Sequence, residues 1–131
     1  MTTALILFGH GAREPAWAEP LLRVQAAIRE QAPGLPVELA FLEFLAPTLA
    51  DCAAGLVASG ARKVVVLPMF IAQGGHLKRD LPDKLEQLRA AHSGVDFVLA
   101  PVVGESAAVI RAMAAVAVQA AALEFARSPV C

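Results

Sequence analysis

The chain has 131 residues, of which 57% are hydrophobic and 18% charged, so it can fill an apolar core and is not expected to be disordered. Its formal net charge of −1 gives no electrostatic reason to expect nucleic-acid binding. No membrane span is expected, because the longest apolar stretch, residues 107–125, is rich in alanine and interrupted by Arg111 and Gln119. The first residues lack the basic region of a signal peptide, and we therefore expect a cytoplasmic location.

The first third of the chain predicts a strand, a helix and a second strand. Residues 4–8 form a short continuous apolar run, which is typical of a strand buried on both faces. A helix is predicted next, since large apolar residues recur at four- and three-residue steps: Trp17, Leu21, Val24 and Ile28. Pro33 and Gly34 end that helix. Residues 37–42 are predicted to form the second strand.

The middle of the chain repeats this alternation. Thr48 with Asp51 resembles a capping box and predicts the start of a second helix, which Gly60 ends. Residues 63–67 are mostly β-branched and predict a third strand, closed by Pro68.

The last third predicts two more helices around a fourth strand, residues 95–100. Pro82 is predicted to open the third helix, and Ser106 to cap the last one. The last helix carries an apolar stripe of Val109, Met113, Val116, Ala120 and Leu123. Strands alternating with helices predict an α/β fold, a single doubly wound domain over residues 1–131 with a four-stranded parallel sheet flanked by helices. The tail, residues 127–131, is expected to be poorly ordered.

Candidate functional residues follow the predicted strands. In a doubly wound sheet, ligands bind at the carboxyl ends of the strands. His10 follows the first strand, Glu43 follows the second, and His76 lies in the long connection after the third, residues 68–82. We therefore expect these three side chains to share one edge of the sheet. His92 is left out of the site, because a position in the last turn of the third helix is explained by the helix dipole.

Glycines accompany both candidate histidines. Gly9 and Gly11 flank His10, and we interpret them as permitting unusual backbone angles and the close approach of a bulky ligand. Gly74 and Gly75 precede the second histidine in a connection interpreted as a long binding loop.

The residue types at this edge favour metal chemistry. Imidazole and carboxylate groups suit borderline divalent ions, and three protein ligands leave coordination positions open. The basic side chains Arg13, Lys78 and Arg79 can donate to carboxylates of a ligand, the alternative being a solvated charged loop. The two cysteines, Cys52 and Cys131, are isolated and are interpreted as reduced, without a ligand or disulfide role.

A short internal similarity links the two histidine segments. His10 is followed by Arg13 and Glu14, and the second segment repeats a basic and then an acidic residue at the same distances, Arg79 and Asp80 after His76. This similarity suggests two related half-sites facing one ligand.

Residues 7–15 and 68–82 resemble the two sequence signatures of the short CbiX/SirB-type sirohydrochlorin chelatases, which are class II chelatases. Residues 41–43 and 46–49 also fit the pattern, and the resemblance extends from Ala4 to about Gly104. It implies ATP-independent insertion of cobalt, iron or nickel into sirohydrochlorin, in cobalamin or siroheme synthesis.

The resemblance also implies roles for particular residues. His10, Glu43 and His76 would contact the metal, which is a substrate rather than a tightly bound cofactor. Insertion removes two pyrrole N–H protons, so the same groups can serve as bases. Short members of the family are half the length of the two-lobed enzymes, which implies one lobe and a homodimer with the tetrapyrrole between subunits.

Three other functions remain to be compared with this one. A histidine phosphatase is disfavoured, because Gly9 stands where the phosphate-binding arginine would precede the histidine. A dinucleotide-binding module is disfavoured, because Glu14 replaces the third glycine of the fingerprint. A non-catalytic carrier of metal or tetrapyrrole would need the same ligands, and only turnover separates it from an enzyme.

Overall fold

A computed structural model of the chain describes the backbone of residues 2–127 and the side chains of residues 2–123. The expectation that residues 127–131 are poorly ordered therefore falls outside the described residues. The exception is Arg127, which is the last residue of the final helix. The prediction for Cys131 also lies outside them.

The core of the fold is a four-stranded parallel sheet. Its strands are β1 (Thr2–Gly9), β2 (Val37–Phe41), β3 (Ala61–Pro68) and β4 (Asp96–Leu99). They lie side by side in the order β2-β1-β3-β4, and all three pairings are parallel. The predicted four-stranded parallel sheet is confirmed.

Four helices connect or follow the strands: α1 (Glu19–Gln31), α2 (Leu49–Ala58), α3 (Gly75–Ala91) and α4 (Ala107–Arg127). Short 3₁₀ turns precede two of them, at Pro15–Ala18 and Val103–Glu105. The predicted cap of α2 is present, since the Asp51 amide donates to Thr48 Oγ1 at 3.1 Å.

The two faces of the sheet are covered unequally. Helices α2 and α3 cover one face, where they bury a large cluster that includes Ile6, Phe8, Val64, Leu81, Leu85 and Phe97. Helix α1 covers β1 and β2 on the other face, over Leu7, Val37, Leu39 and Phe41. Next to it, on β3 and β4, Val65, Leu67 and Val98 are only partly buried.

Helix α1 buries a face that the apolar spacing did not fully predict. Val24 is exposed, and Trp17 lies in the 3₁₀ turn before the helix rather than within it. The buried positions include Gln25, whose Nε2 donates to the backbone oxygen of Val37 at 2.9 Å. A polar side chain is stable there because the edge strand β2 leaves this backbone acceptor free.

Helix α3 begins seven residues earlier than predicted. It starts at Gly75, with Gly74 as its N-cap, so Pro82 lies inside the helix instead of opening it. The residues taken for a long loop, including His76 and Lys78, therefore form the first turns of a helix. The prediction was wrong because proline is most common at a helix start, whereas here the buried Leu81, Leu85 and Leu88 hold the helix through it.

Helix α4 extends away from the sheet. After Ile110, every residue up to Leu123 is exposed, and the helix contacts mainly the 3₁₀ turn that precedes it. Within the described residues, the apolar stripe of α4 is therefore not packed on the sheet of its own chain. In the part of the chain that the structure describes, no helix is long and apolar enough to span a bilayer.

Candidate metal-binding site

Backbone hydrogen bonds join the chain segments at the carboxyl end of β1. The Leu42 amide donates to Gly9 O at 2.9 Å, and the Glu43 amide donates to His10 O at 3.1 Å. On the other side of β1, a backbone hydrogen bond joins the segment that follows β3 to the carboxyl end of β1. Since α1 and α3 leave β1 and β3 on opposite faces of the sheet, this edge is the topological switch point, where open α/β sheets bind ligands.

His10 and Glu43 form a side-chain pair at this edge. His10 Nε2 lies 3.2 Å from Glu43 Oε1, and about half of each side chain is exposed, 50% and 48%. Two ligands with bonds of about 2.1 Å to one metal ion, in neighbouring positions, lie about 3.0 to 3.4 Å apart. The separation of these two atoms therefore suits a shared divalent ion, with its remaining positions open to solvent.

Phe70 supports the imidazole from the side of β3. The Phe70 and His10 ring centroids lie 6.3 Å apart at an interplanar angle of 71°, an edge-to-face contact. The same phenyl ring packs on buried Phe8 at 6.2 Å. Phe70 is not among the predicted site residues, because its only signal in the sequence is its place two residues after the third strand.

The two glycines beside His10 have packing roles that were not predicted, and the predicted unusual backbone angle is present at Gly11. A Cβ at Gly9 would lie 2.7 Å from Leu21 Cδ1. Gly11 has a φ of +92°, and a Cβ there would lie 1.8 Å from the backbone oxygen of Glu43. The space beside each glycine is therefore filled by the protein itself. Substrate contact through their backbone stays a prediction.

His76 belongs to a second histidine–carboxylate pair. Its Nε2 lies 3.0 Å from Asp80 Oδ2, four residues later on α3, and 87% of its side chain is exposed. The sequence predicts a loop here, and in a loop a four-residue spacing does not bring two side chains together. Asp80 is therefore not predicted as the partner of His76. Next to the pair, Gly74 and Gly75 have open space at the Cβ position.

The three predicted metal ligands are not brought together by one chain. Among the described residues, no three histidine, cysteine, aspartate or glutamate side chains form a potential metal cluster. The structure joins His10 with Glu43 and His76 with Asp80 as two separate pairs. The proposed similarity of the two segments does not hold in three dimensions, because Glu14 accepts from the Ala16 amide rather than pairing with His10.

The predicted basic cluster divides between two places. The Arg13 guanidinium lies over the Phe44 ring, with Cζ 5.1 Å from its centroid. Lys78 and Arg79 are exposed on the first turns of α3. The N-terminus of a helix already carries a partial positive charge, and the two cationic side chains add to it. This end of α3 therefore attracts anionic groups.

A cavity of about 360 Å³ lies between α2 and α3, and its lining includes no member of either histidine–carboxylate pair. Its lining includes Phe8 and Leu42, the neighbours of the site residues, and His92, which is the C-cap of α3. Cys52 is buried and free, and burial, followed by the charge of Glu38, raises the pKa of its thiol to about 11. A thiol that stays protonated is a poor metal ligand, as the sequence interpretation held for this residue.

Fold and site together define a small α/β domain with an open histidine–carboxylate pair at the switch point of its sheet. The family model for CbiX matches residues 4–120. The chain belongs to the CbiX family.

Similar proteins agree with this assignment. A sirohydrochlorin cobaltochelatase of Methanococcus aeolicus is 39% identical over 82 residues, which are 63% of this chain and 57% of that protein. The match thus spans little more than half the length of that relative. A solved structure of a CbiX protein, described as belonging to cobalamin biosynthesis in Marinobacter aquaeolei VT8, is 28% identical with a TM-score of 0.81, over 96% of this chain and 99% of that one.

The fold is also similar to half of a larger protein. The sirohydrochlorin chelatase SirB from Bacillus subtilis subspecies spizizenii, solved in complex with cobalt, is 21% identical with a TM-score of 0.74. The similarity covers 86% of this chain and 48% of SirB. The expected correspondence to one lobe of a longer chelatase therefore holds for the fold.

Proposed function

We propose that the chain inserts a divalent metal ion into sirohydrochlorin without ATP, with cobalt as the first metal to test. The observation that carries the proposal is the 3.2 Å separation of His10 Nε2 and Glu43 Oε1 at the switch point of the sheet. Family membership and the function of the Methanococcus aeolicus relative support it. The metal is a substrate here, and no resident cofactor is required.

The pair can perform both parts of the reaction. Insertion joins the metal to four pyrrole nitrogens and releases two N–H protons, so it needs a weak metal site and a base. His10 and Glu43 supply two ligands, which hold an ion without enclosing it. As the ion moves to the macrocycle, imidazole and carboxylate become free to accept the released protons. The His76–Asp80 pair is the second metal contact, and Lys78 and Arg79 bind carboxylates of the substrate.

A carrier would need the same residues but a different affinity. A stored ion is held by a closed ligand set, whereas the His10–Glu43 pair offers only two ligands and is half exposed. This openness favours transfer over storage. Turnover decides the matter: more than one equivalent of cobalt inserted per chain excludes a stoichiometric carrier.

The decisive experiment replaces each histidine with alanine and measures cobalt insertion by absorbance. His10→Ala should lower the insertion rate at least about 100-fold, because it removes both a metal ligand and a base. His76→Ala should lower it strongly, and Glu43→Ala by a smaller factor. His92→Ala is the matched control and should insert cobalt at the normal rate. Near-normal insertion rates in both His10→Ala and His76→Ala would refute the proposed site. Insertion rates for iron and nickel, measured with the same preparation, give the order of preference among the three metals.

We further propose that the working unit is a homodimer with the tetrapyrrole between subunits. Helix α4 supports this, because its stripe of Met113, Val116 and Leu123 is exposed although its composition is that of a buried helix. The partly buried Val65, Leu67 and Val98 offer a second apolar surface, on the part of the sheet that α1 leaves uncovered. In a two-fold dimer, the second copy of the chain would cover both surfaces with its own equivalent surfaces.

A further inference from the structure

Phe44, the residue after Glu43, has an unusual backbone conformation. Its φ is +67°, in the left-handed region that bulky side chains rarely adopt. The Leu45 amide donates to Glu43 O at 2.8 Å across it, so Phe44 is the centre of a tight three-residue turn. Turns of this kind are strained, and strained residues occur most often where a ligand is bound.

This turn directs a large aromatic side chain outwards instead of into the core. Phe44 is 56% exposed, whereas Phe41, three residues earlier, is buried. Arg13 lies beside it, with its guanidinium carbon 5.1 Å from the ring centroid, within the range of a cation–π contact. Among the described residues Arg13 makes no ion pair with a carboxylate.

The aromatic ring and the guanidinium are tied to the two members of the metal pair. Phe44 directly follows Glu43, and Arg13 comes three residues after His10. The Glu43 amide bonds to His10 O at 3.1 Å, which holds the two loops together. A wide, flat ligand centred on a metal between His10 and Glu43 would extend beyond these two side chains, and the loops that carry Arg13 and Phe44 lie next to them.

We propose that Phe44 and Arg13 form a substrate-binding platform, in which the phenyl ring stacks on the tetrapyrrole face and the guanidinium binds one of its carboxylates. This inference rests on the proposed function, adds the Phe44 contact to it, and combines that contact with the one predicted for Arg13. The chemistry is complementary, since the macrocycle is an apolar plate with an anionic rim. A subunit contact would use the same exposed ring, but the apolar surface suited to a second copy lies on α4, a separate element.

The test uses metal-free sirohydrochlorin as the probe, with its binding to the protein followed by fluorescence. Phe44→Gly is the informative variant, because glycine removes the ring and also relieves the positive φ, so the fold is retained. It should weaken sirohydrochlorin binding about tenfold. Cobalt binding measured alone by calorimetry, and the molecular mass in solution, should not change. Phe44→Trp should restore the affinity for the substrate.

Leu22→Ala is the matched control, since Leu22 is an exposed apolar residue on α1. It should bind sirohydrochlorin like the unchanged chain. Undiminished affinity in Phe44→Gly overturns the platform and leaves the proposed function intact. A fall in molecular mass in Phe44→Gly also overturns it, because the ring would then be a subunit contact. If the unchanged chain binds no sirohydrochlorin, both proposals fail.

Discussion

At the scale of single residues, Gly11 allows the loop after β1 to pass close to the backbone of Glu43. The loop after β1 passes so close to Glu43 that a methyl group at position 11 would overlap the Glu43 backbone oxygen. This backbone contact lies one residue from His10. We therefore expect backbone packing to limit how far His10 and Glu43 can move apart. A small change at Gly11 should therefore reach the metal site directly.

We expect Gly11→Ala to destabilise the fold and to weaken cobalt binding. The matched control is Gly60→Ala, because Gly60 also has a positive φ, +105°, but has nothing within 4 Å of its Cβ position. Both variants carry the conformational penalty of alanine, and only Gly11→Ala adds a steric overlap. Urea unfolding should show Gly11→Ala to be less stable than Gly60→Ala by about 1 to 3 kcal/mol. Equal losses in stability, with normal cobalt affinity in both, would contradict this role for Gly11.

At the scale of elements, α3 is unusual because a proline interrupts its hydrogen bonding. Pro82 has no amide hydrogen, so the backbone oxygen of Lys78 has no donor four residues later. The turn that holds His76 and Asp80 lies directly before this gap. The first turns of α3 are therefore joined to the rest of the helix by fewer hydrogen bonds than a regular helix provides.

Replacing Pro82 with alanine should stabilise the protein. Alanine restores the missing donor and removes the clash of the proline ring, and part of this gain is offset by a more flexible unfolded chain. We expect the free energy of unfolding to rise by about 1 to 2 kcal/mol. Gln87→Ala, at an exposed position on the same helix, should change it by less than about 0.5 kcal/mol. Loss of stability in Pro82→Ala would mean that the ring makes packing contacts that outweigh the hydrogen bond.

The elements also show which features can be predicted from the sequence. The strands were found because buried parallel strands read as short apolar runs, and their order placed His10 and Glu43 at one edge. The start of α3 was missed, because Pro82 fits a helix start better than a helix interior. The His76–Asp80 pair was lost with it. The exposed turn at Phe44 could not be predicted, since its backbone conformation depends on packing between loops.

At the scale of the whole molecule, the proposed homodimer depends on α4. Val116 and Val118 are both exposed, 65% and 68%, but the helical repeat places Val118 opposite the stripe of Met113 and Val116. The two valines therefore form a matched pair of test positions. One faces the proposed partner, and the other faces away from it.

We expect the unchanged chain at micromolar concentration to have about twice the 13.7 kDa mass of one chain in light scattering. Val116→Lys should reduce the mass to that of a monomer, because it places a charge in an apolar interface. Val118→Lys should remain a dimer. A fully active chain with a mass near 13.7 kDa would refute the homodimer.

The exposed position of α4 also has a consequence for folding. In the proposed homodimer, the apolar side chains of α4 meet only the partner, so the folding of α4 and the association of the subunits share one equilibrium. By mass action, the temperature of half-unfolding should then rise with protein concentration. Dilution would loosen α4 first, while the sheet that positions His10 and Glu43 keeps its own core. In the cell, the amount of active enzyme would then vary more steeply than the amount of protein made.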